Sequence, residues 1–193
     1  MKMTDEILEI QSKVEKAVDG KRFRHILGVA HTAACMAMCY GLDVDRAYLA
    51  GVLHDCAKGY KKEEYLSICR DKGIPITPSE EKSPSLLHAK LGAYFAETLY
   101  NTDDWEILSA IRCHTTGKPN MSLLDKIIYI ADYIEPNRHI RTDMDTIRKI
   151  AFTDIDKCLL IILENTVSYL EQSGKSIDMT TKETYEYYRD TVK

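Results

Sequence analysis

The 193-residue sequence predicts an all-α fold, specifically a helical bundle. Apolar residues recur every three or four positions in most segments, which is the spacing of a helix with one buried face. Glycine or proline interrupts these segments where helices are expected to end. No segment shows the alternation of a half-buried strand, and no internal repeat is evident. The length suits one sizeable core, so we predict a single domain over 1–193, with its core at about 22–140 and the C-terminal helices completing it.

In the first third of the chain, glycine separates most of the predicted helices. Thr4 is a suitable N-cap for a helix over 4–19. The next helix, over 23–40, is rich in Ala, Met and Cys, and such small and adaptable residues suit close helix packing. A third, apolar helix is expected over 44–57, and a more polar helix over 62–72 follows it.

The clearest break in the helical pattern is the segment 73–85, which holds three of the five prolines. Because proline removes a backbone donor and clashes with the preceding turn, this segment cannot be one continuous helix. We predict a surface loop here. Helical periodicity then resumes and predicts helices over 86–99, 103–113, 122–134, 142–151, 154–171 and 180–193.

Charge and composition exclude several classes of partner. The formal net charge of −4 provides no global basic field that would favour nucleic acid or an anionic membrane. No apolar run approaches the roughly 20 residues that span a bilayer. The six cysteines form no Cys-x-x-Cys pair, and no signal peptide is evident at the start of the chain. We therefore expect reduced thiols, a cytoplasmic location, and neither nucleic acid nor membrane as partner.

A histidine and an aspartate, His54 and Asp55, stand side by side at the end of the apolar run over 44–57. Burying an unpaired charge is costly, so such a pair needs a partner in a packed core. A metal ion is the simplest partner, because imidazole and carboxylate both bind borderline divalent metals. For the dipeptide alone, a buried histidine beside a hydrogen-bonded aspartate is the more common arrangement.

Four further residues, His25, His88, His114 and Asp132, also fall near the ends of predicted helices or within apolar stretches. Helical bundles build metal sites from such inward-facing side chains on several helices. Four imidazoles and two carboxylates fit two ions better than one, and Asp55 is a candidate bridge between them. The scattered spacing is, by itself, a weak signal.

Three neighbouring polar residues are not predicted to be ligands. His31 follows His25 by six positions, about 240° around a helix, so the two cannot face one site. Asp125 shares a helix face with Asp132, where it either orients a ligating histidine or stabilises the helix N-terminus. His139 lies in a polar loop, where a solvated side chain is expected.

Five motifs occur in a fixed order along the chain. They are RFRHILGV at 22–29, HDCAK at 54–58, LHAKLGA at 87–93, IRCHTTG at 111–117 and YIADYIEPNR at 129–138. The set resembles the motifs of the HD superfamily of metal-dependent phosphohydrolases and, more closely, those of the YqeK family of bacterial symmetrical dinucleoside tetraphosphate hydrolases. Five ordered motifs are far more specific than any one of them, and the likeness spans about 22–185.

The resemblance implies a centre with two metal ions, iron first, with manganese, zinc or another divalent metal as alternatives. By the family pattern, four side chains hold one ion, namely His25, His54, Asp55 and Asp132. Asp55 also bridges to a second ion, which His88 and His114 hold.

The activity implied by the resemblance is hydrolysis of diadenosine tetraphosphate into two ADP by a hydroxide activated by both metals. Asp55 and Lys58 are the implied catalytic residues. Lys58 is expected to meet the polyphosphate, although a lysine at a helix C-terminus is also favoured by the helix dipole. The predicted substrate contacts are Arg22, Lys58, His88, His114, Thr115, Arg138, Thr181 and Tyr185.

The contacts other than the histidines have ordinary structural alternatives. Arg22 and Arg138 would equally be solvated surface arginines, and Thr115 would equally cap a helix. A tyrosine cluster that includes Tyr185 more often docks a terminal helix than stacks on a base.

Two other functions remain open from the sequence. The fold and metals do not fix the substrate, so another nucleotide or a phosphomonoester is an alternative for an HD phosphohydrolase. A non-catalytic helical module that binds metal and a nucleotide is the second, although the complete ligand set with Lys58 and Arg138 argues against it. A homodimer is compatible with the sequence, since symmetric dimers are the commonest oligomers, but no surface stripe identifies an interface.

Overall fold

The computed structural model describes residues 4–138, 143–174 and 176–192. Within these ranges the chain is helical and contains no strand, which confirms the all-α prediction. The predicted helix start at position 142 and the predicted solvated His139 lie outside the described residues. The α-helices are α1 (Asp5–Ala17), α2 (Gly20–Tyr40), α3 (Val44–Leu53), α4 (Lys62–Asp71), α5 (Pro78–Lys82), α6 (Leu87–Thr98), α7 (Trp105–Cys113), α8 (Leu123–Ile134), α9 (Met144–Ala151), α10 (Ile155–Gln172) and α11 (Met179–Thr191).

The prediction of a loop over 73–85 is wrong in part. This segment contains α5 and a 3₁₀ turn over Pro84–Leu86. Pro78 occupies the first turn of α5, where its missing N–H costs nothing, so it starts a helix instead of breaking one. Thr77 and Glu80 add a reciprocal capping box that satisfies two further backbone donors.

Helix α3 ends at Leu53, four residues earlier than predicted. Beyond it the backbone tightens, with Cys56 N–H donating to Leu53 O and Lys58 N–H donating to Asp55 O. These bonds span three residues, the 3₁₀ pattern common at helix ends.

Close packing of α2 against α3 depends on small residues. Gly51 of α3 faces Ala30 of α2, and a Cβ built on Gly51 would lie 2.6 Å from Ala30 Cα. At its N-terminus, α2 begins earlier than predicted because Asp19 Oδ1 accepts hydrogen bonds from the N–H groups of Lys21 and Arg22, both at 2.9 Å. Asp19 therefore determines where α2 starts, and Gly51 determines how closely α3 approaches α2.

One hydrophobic cluster draws buried side chains from α1 to α3 and from α6 to α11. A smaller cluster under α4 contains Ala57, Tyr65, Cys69, Leu87 and Leu91. This shared core supports a single domain over 1–193, which stays a prediction. All six cysteines are free thiols, and no described helix is long and apolar enough to cross a membrane.

Candidate metal centre

The six predicted metal ligands converge from α2, α3, α6, α7 and α8 or the turns that end them. Five of them line a cavity of about 840 Å³, and His54 lies behind its wall, fully buried. The potential ligand atoms form two groups that share Asp55. The first group contains His25, His54 and Asp55, and the second contains Asp55, His88 and His114.

Asp132 joins the first group. Its Oδ1 lies 3.0 Å from His25 Nε2 and 3.8 Å from His54 Nε2. Such distances are those between neighbouring ligand atoms that surround one common point. The structure thus brings together the side chains that the family pattern assigns to the first ion.

Asp55 presents a different oxygen to each group. Oδ2 lies 3.6 Å from His54 Nε2 and 3.9 Å from His25 Nε2. Oδ1 lies 3.3 Å from His88 Nε2 and 3.6 Å from His114 Nε2. One carboxylate is therefore arranged to serve two cation sites at once.

Local backbone geometry orients three of the four histidines. In each, Nδ1 lies against the backbone carbonyl oxygen three residues earlier. The pairs are His54 with Gly51 (2.7 Å), His114 with Ile111 (2.7 Å), and His88 with Ser85. A carbonyl oxygen can only accept, so Nδ1 carries the proton and the lone pair of Nε2 faces the cluster. This is the tautomer that a metal-binding histidine requires.

His25 is oriented instead by Glu135, which directly follows the end of α8. Glu135 is 1% exposed, and its Oε1 lies 3.1 Å from His25 Nδ1. Its Oε2 accepts hydrogen bonds from the backbone N–H and the side-chain amide of Asn137. Gly28 leaves the space for this carboxylate, since a Cβ there would collide with Glu135 Oε2. An acid between an apolar helix and Pro136 marks the position in the sequence but does not identify its partner.

Replacing Glu135 with glutamine is expected to weaken metal binding by about 10- to 100-fold, the usual cost of losing a partner that orients a ligand. Glutamine has one acceptor oxygen, so it cannot accept from both His25 and Asn137. Competition with a chromogenic chelator measures the affinity. Glu97→Gln, at an exposed position, is the matched control. Unchanged affinity in the Glu135 variant would show that His25 is positioned without it.

The environment sets the charge of each group. Burial lowers the pKa of His54 to about 4 and, together with the Lys58 charge, that of His88 to about 3, so both are neutral at pH 7. Burial opposes ionisation of Asp55, but the neighbouring imidazoles and Lys58 hold its pKa well below the usual value. Asp132 is likewise opposed by burial, and its contact with His25 holds its pKa below the usual range. Neutral imidazoles beside ionised carboxylates form a cation-binding ligand set.

Three of these ligand atoms lack hydrogen-bond partners. Among the described residues, nothing hydrogen-bonds to His25 Nε2, His54 Nε2 or Asp55 Oδ1, which are all buried. Buried polar atoms are nearly always paired, so this pattern needs an explanation. A divalent cation in each group would use these atoms as ligands, and mixed nitrogen and oxygen donors suit iron, manganese or zinc. The residues present therefore fit two divalent metal ions.

Several cationic side chains line the cavity, and three of them, together with one hydroxyl, contact these groups. Arg22 Nη1 lies 2.7 Å from Asp55 Oδ2, and Arg138 Nη2 lies 2.6 Å from Asp132 Oδ1. Thr115 Oγ1 lies 3.1 Å from His88 Nε2. The third cation, Lys58, places Nζ 3.0 Å from His88 Nε2. The structure thus places the predicted contacts Arg22, Lys58, Thr115 and Arg138 around one space.

The HD domain model matches residues 22–137, which include all six ligand positions. The chain belongs to the HD-domain family. Two curated relatives bear the name symmetrical bis(5'-nucleosyl)-tetraphosphatase, and the chain covers most of each. The protein from Halalkalibacterium halodurans is 40% identical over 85% of this chain and 87% of its own length. The protein from Bacillus subtilis is 37% identical over 90% of this chain and 92% of its own length.

A solved structure shares both the fold and the sequence family. The crystal structure described as a predicted HD superfamily hydrolase involved in NAD metabolism, from Clostridium acetobutylicum, superposes with a TM-score of 0.91. It is 38% identical, and the alignment covers 98% of this chain and 99% of that one. The resemblance read from five ordered motifs is confirmed, and membership of the HD family implies that the chain binds divalent metal.

Beyond the HD match, α11 supplies two of the predicted substrate contacts, but the structure places neither on the wall of the main cavity. Thr181 is 4% exposed, and the Tyr185 ring lies 5.8 Å from the Arg189 guanidinium. The neighbouring Thr184 packs against Gly117, in the turn that follows His114. Helix α11 therefore braces that turn, and substrate contact by Thr181 or Tyr185 stays a prediction.

Two nearby polar residues, Asp125 and His31, lie outside the ligand groups. Asp125 is fully buried and forms a capping box with Ser122, and its carboxylate lies 2.9 Å from Lys118 Nζ. Of the two roles considered for Asp125, the structure shows the helix N-terminal one. His31 is exposed and packs edge-on against Tyr48, consistent with the prediction that it is not a ligand.

Proposed function

We propose that this chain is a metal-dependent hydrolase that cleaves diadenosine tetraphosphate symmetrically into two ADP. The observation that carries the proposal is the pair of ligand groups that share Asp55, placed in one cavity with the cationic side chains of Arg22, Lys58 and Arg138. The function named for its relatives, at 37–40% identity over most of the chain, supports the same substrate class. No described feature favours a phosphomonoesterase or a non-catalytic module instead.

Six side chains would hold the two ions, divided as the two groups are: His25, His54, Asp55 and Asp132 for one, and Asp55, His88 and His114 for the other. We propose iron as the resident metal, because mixed imidazole and carboxylate ligands suit it, with manganese or zinc as substitutes. When bound, two such ions supply activation of water and stabilisation of the attacking and leaving oxygens in a displacement at phosphorus.

The chain's own cations would bind and orient the polyphosphate. Arg22 and Arg138 each donate to a ligand carboxylate, yet a guanidinium has five N–H donors, so others remain for phosphate oxygens. Lys58 is a compact charge beside His88, suited to the bridging phosphate oxygens near the point of cleavage. The hydroxyl of Thr115 adds a neutral donor next to the second ligand group. Together these groups would hold the middle of the tetraphosphate against the ligand groups.

Replacing Lys58 with methionine is expected to lower kcat/KM for diadenosine tetraphosphate by about 100-fold, the usual cost of removing one charge-stabilising donor. Methionine keeps most of the stem, so metal content should not change. Lys62→Met removes an exposed lysine four residues further along the chain, at the start of α4, and serves as the matched control. Full activity in Lys58→Met, with metal content equal to wild type, would remove Lys58 from the proposed machinery.

Product analysis tests the proposed reaction. Iron-loaded protein is incubated with diadenosine tetraphosphate, and the products are separated by ion-exchange chromatography. ADP alone supports symmetrical cleavage. ATP together with AMP, or no turnover when metal content is confirmed, would refute it.

We also infer a cytoplasmic location, which the six free thiols support. A homodimer stays a proposal, tested by sedimentation of the metal-loaded protein. The substrate and product are the partners that the site itself supports, and no basic surface field favours nucleic acid.

A further inference from the structure

A second cleft, of about 400 Å³, adjoins the main cavity. The two spaces share Asp19 and Lys58 as wall residues, so they lie side by side at that point. The volume lies within the range of about 300–1,000 Å³ that small-molecule sites occupy. Nothing in the proposed metal chemistry requires this second space.

Part of the wall of the cleft consists of large apolar and aromatic side chains. Tyr60 and Leu99 are 41% and 59% exposed, although both are large hydrophobic residues. Phe95 and Tyr100 continue the same wall. The Tyr60 ring packs edge-on against Phe95, with ring centroids 6.3 Å apart. Flat aromatic ligands, such as nucleobases, stack favourably on aromatic side chains of this kind.

The loop that carries Tyr60 is held in place. Tyr65 Oη donates a hydrogen bond to Ala57 O, at 3.0 Å, and accepts one from Gly59 N–H, at 3.2 Å. Gly59 has a φ of 115°, a backbone conformation that residues with a Cβ rarely adopt. Tyr60 is thus held in a fixed turn that directly follows Lys58.

Two carboxylates complete the cleft, those of Asp19 and Glu64. A carboxylate accepts hydrogen bonds from hydroxyl and amino groups, which are the donors that a ribose and an adenine offer. The cap of α2 uses only Oδ1 of Asp19. Since Asp19 lines both spaces, a ribose at this junction would link a base in the cleft to phosphates in the main cavity.

We propose that this cleft binds the purine nucleoside at one end of the dinucleotide, with the base against Tyr60 and Leu99 and the ribose near Asp19. The proposal rests on the proposed function, which it deepens. The chain would then recognise a terminal nucleoside as well as the polyphosphate. A substrate with a nucleoside at that end should therefore be preferred over one that ends in a bare phosphate.

The test compares variants of the metal-loaded protein with two probes. Leu99→Glu places a charge against the proposed base, and Tyr60→Ala removes a stacking surface. Met38→Glu is the matched control, because Met38 is 61% exposed but does not line the cleft. One probe is diadenosine tetraphosphate as substrate. The other is inorganic tripolyphosphate, which has no nucleoside, as competitive inhibitor.

Both cleft variants are expected to lose about 10-fold or more in kcat/KM for the dinucleotide, as removal of one base-stacking contact does. Their inhibition constant for tripolyphosphate should stay that of wild type, and Met38→Glu should match wild type with both probes. Circular dichroism checks the folding of each variant, and Leu99→Glu suffices if Tyr60→Ala does not fold.

Two results would overturn the cleft assignment. One is wild-type kcat/KM in Leu99→Glu, and the other is an equal loss of affinity for both probes. Wild-type protein that produces no ADP would instead refute the proposed function, and with it the identity of the occupant.

Discussion

Replacing Asp55 with alanine is expected to reduce hydrolysis of diadenosine tetraphosphate by at least about 1,000-fold and to lower the content of both metal ions. Asp55 is the one residue common to the two ligand groups, with a separate oxygen facing each. A metal ion contributes several kcal/mol of transition-state stabilisation, and each 1.36 kcal/mol corresponds to a factor of ten in rate. Steady-state kinetics and elemental analysis measure the two effects.

The control for Asp55→Ala is Asp145→Ala, which removes a carboxylate whose side chain is 92% exposed. This variant should keep wild-type activity and metal content. If Asp55→Ala retained two equivalents of metal per chain, the carboxylate would not join the two groups, and the division of ligands proposed here would be wrong.

Replacing Gly51 with alanine is expected to destabilise the protein by about 1–3 kcal/mol, the typical cost of overpacking a core contact. The added Cβ would lie 2.6 Å from Ala30 Cα and 3.0 Å from Ala30 N, which are backbone atoms that cannot rotate away. Helices α2 and α3 must therefore separate. Because α2 carries His25 and His54 directly follows α3, metal affinity should fall along with the free energy of unfolding. Urea denaturation measures the stability.

Gly20→Ala provides the contrast, since nothing lies within 4 Å of a Cβ built at Gly20, the first residue of α2. Alanine is a better helix former than glycine, so this variant should be neutral or up to about 1 kcal/mol more stable. If the variants at positions 51 and 20 unfolded alike, the close approach of α2 and α3 would not be what limits position 51.

Local signals in the sequence predicted most of the helices, because caps and apolar periodicity act within one or two turns. These local signals mislead where the same residue can either start or end a helix, or where a helix ends before its apolar pattern does. Pro78 was read as a helix breaker, but with Thr77 before it and Glu80 after it, the residue starts α5. The apolar run through Ala57 predicted a longer α3, although 3₁₀ bonds end the helix at Leu53.

The candidate site was predictable to the extent that its residues are chemically distinctive. Histidine and aspartate in apolar stretches pointed to metal, and ordered motifs pointed to the family. The role of Glu135 was not predictable, because its contact with His25 joins positions 110 residues apart. The cleft beside Tyr60 was missed for a similar reason, since α6 and the loop after Lys58 meet only in the folded chain.

The most direct test of the account is anomalous diffraction from crystals of the iron-loaded protein at the iron absorption edge. The account predicts two peaks on either side of Asp55. One should lie among His25, His54 and Asp132, and the other beside His88 and His114. A single peak, or iron bound elsewhere when elemental analysis finds two equivalents per chain, would contradict the shared two-metal centre from which the proposed function is argued.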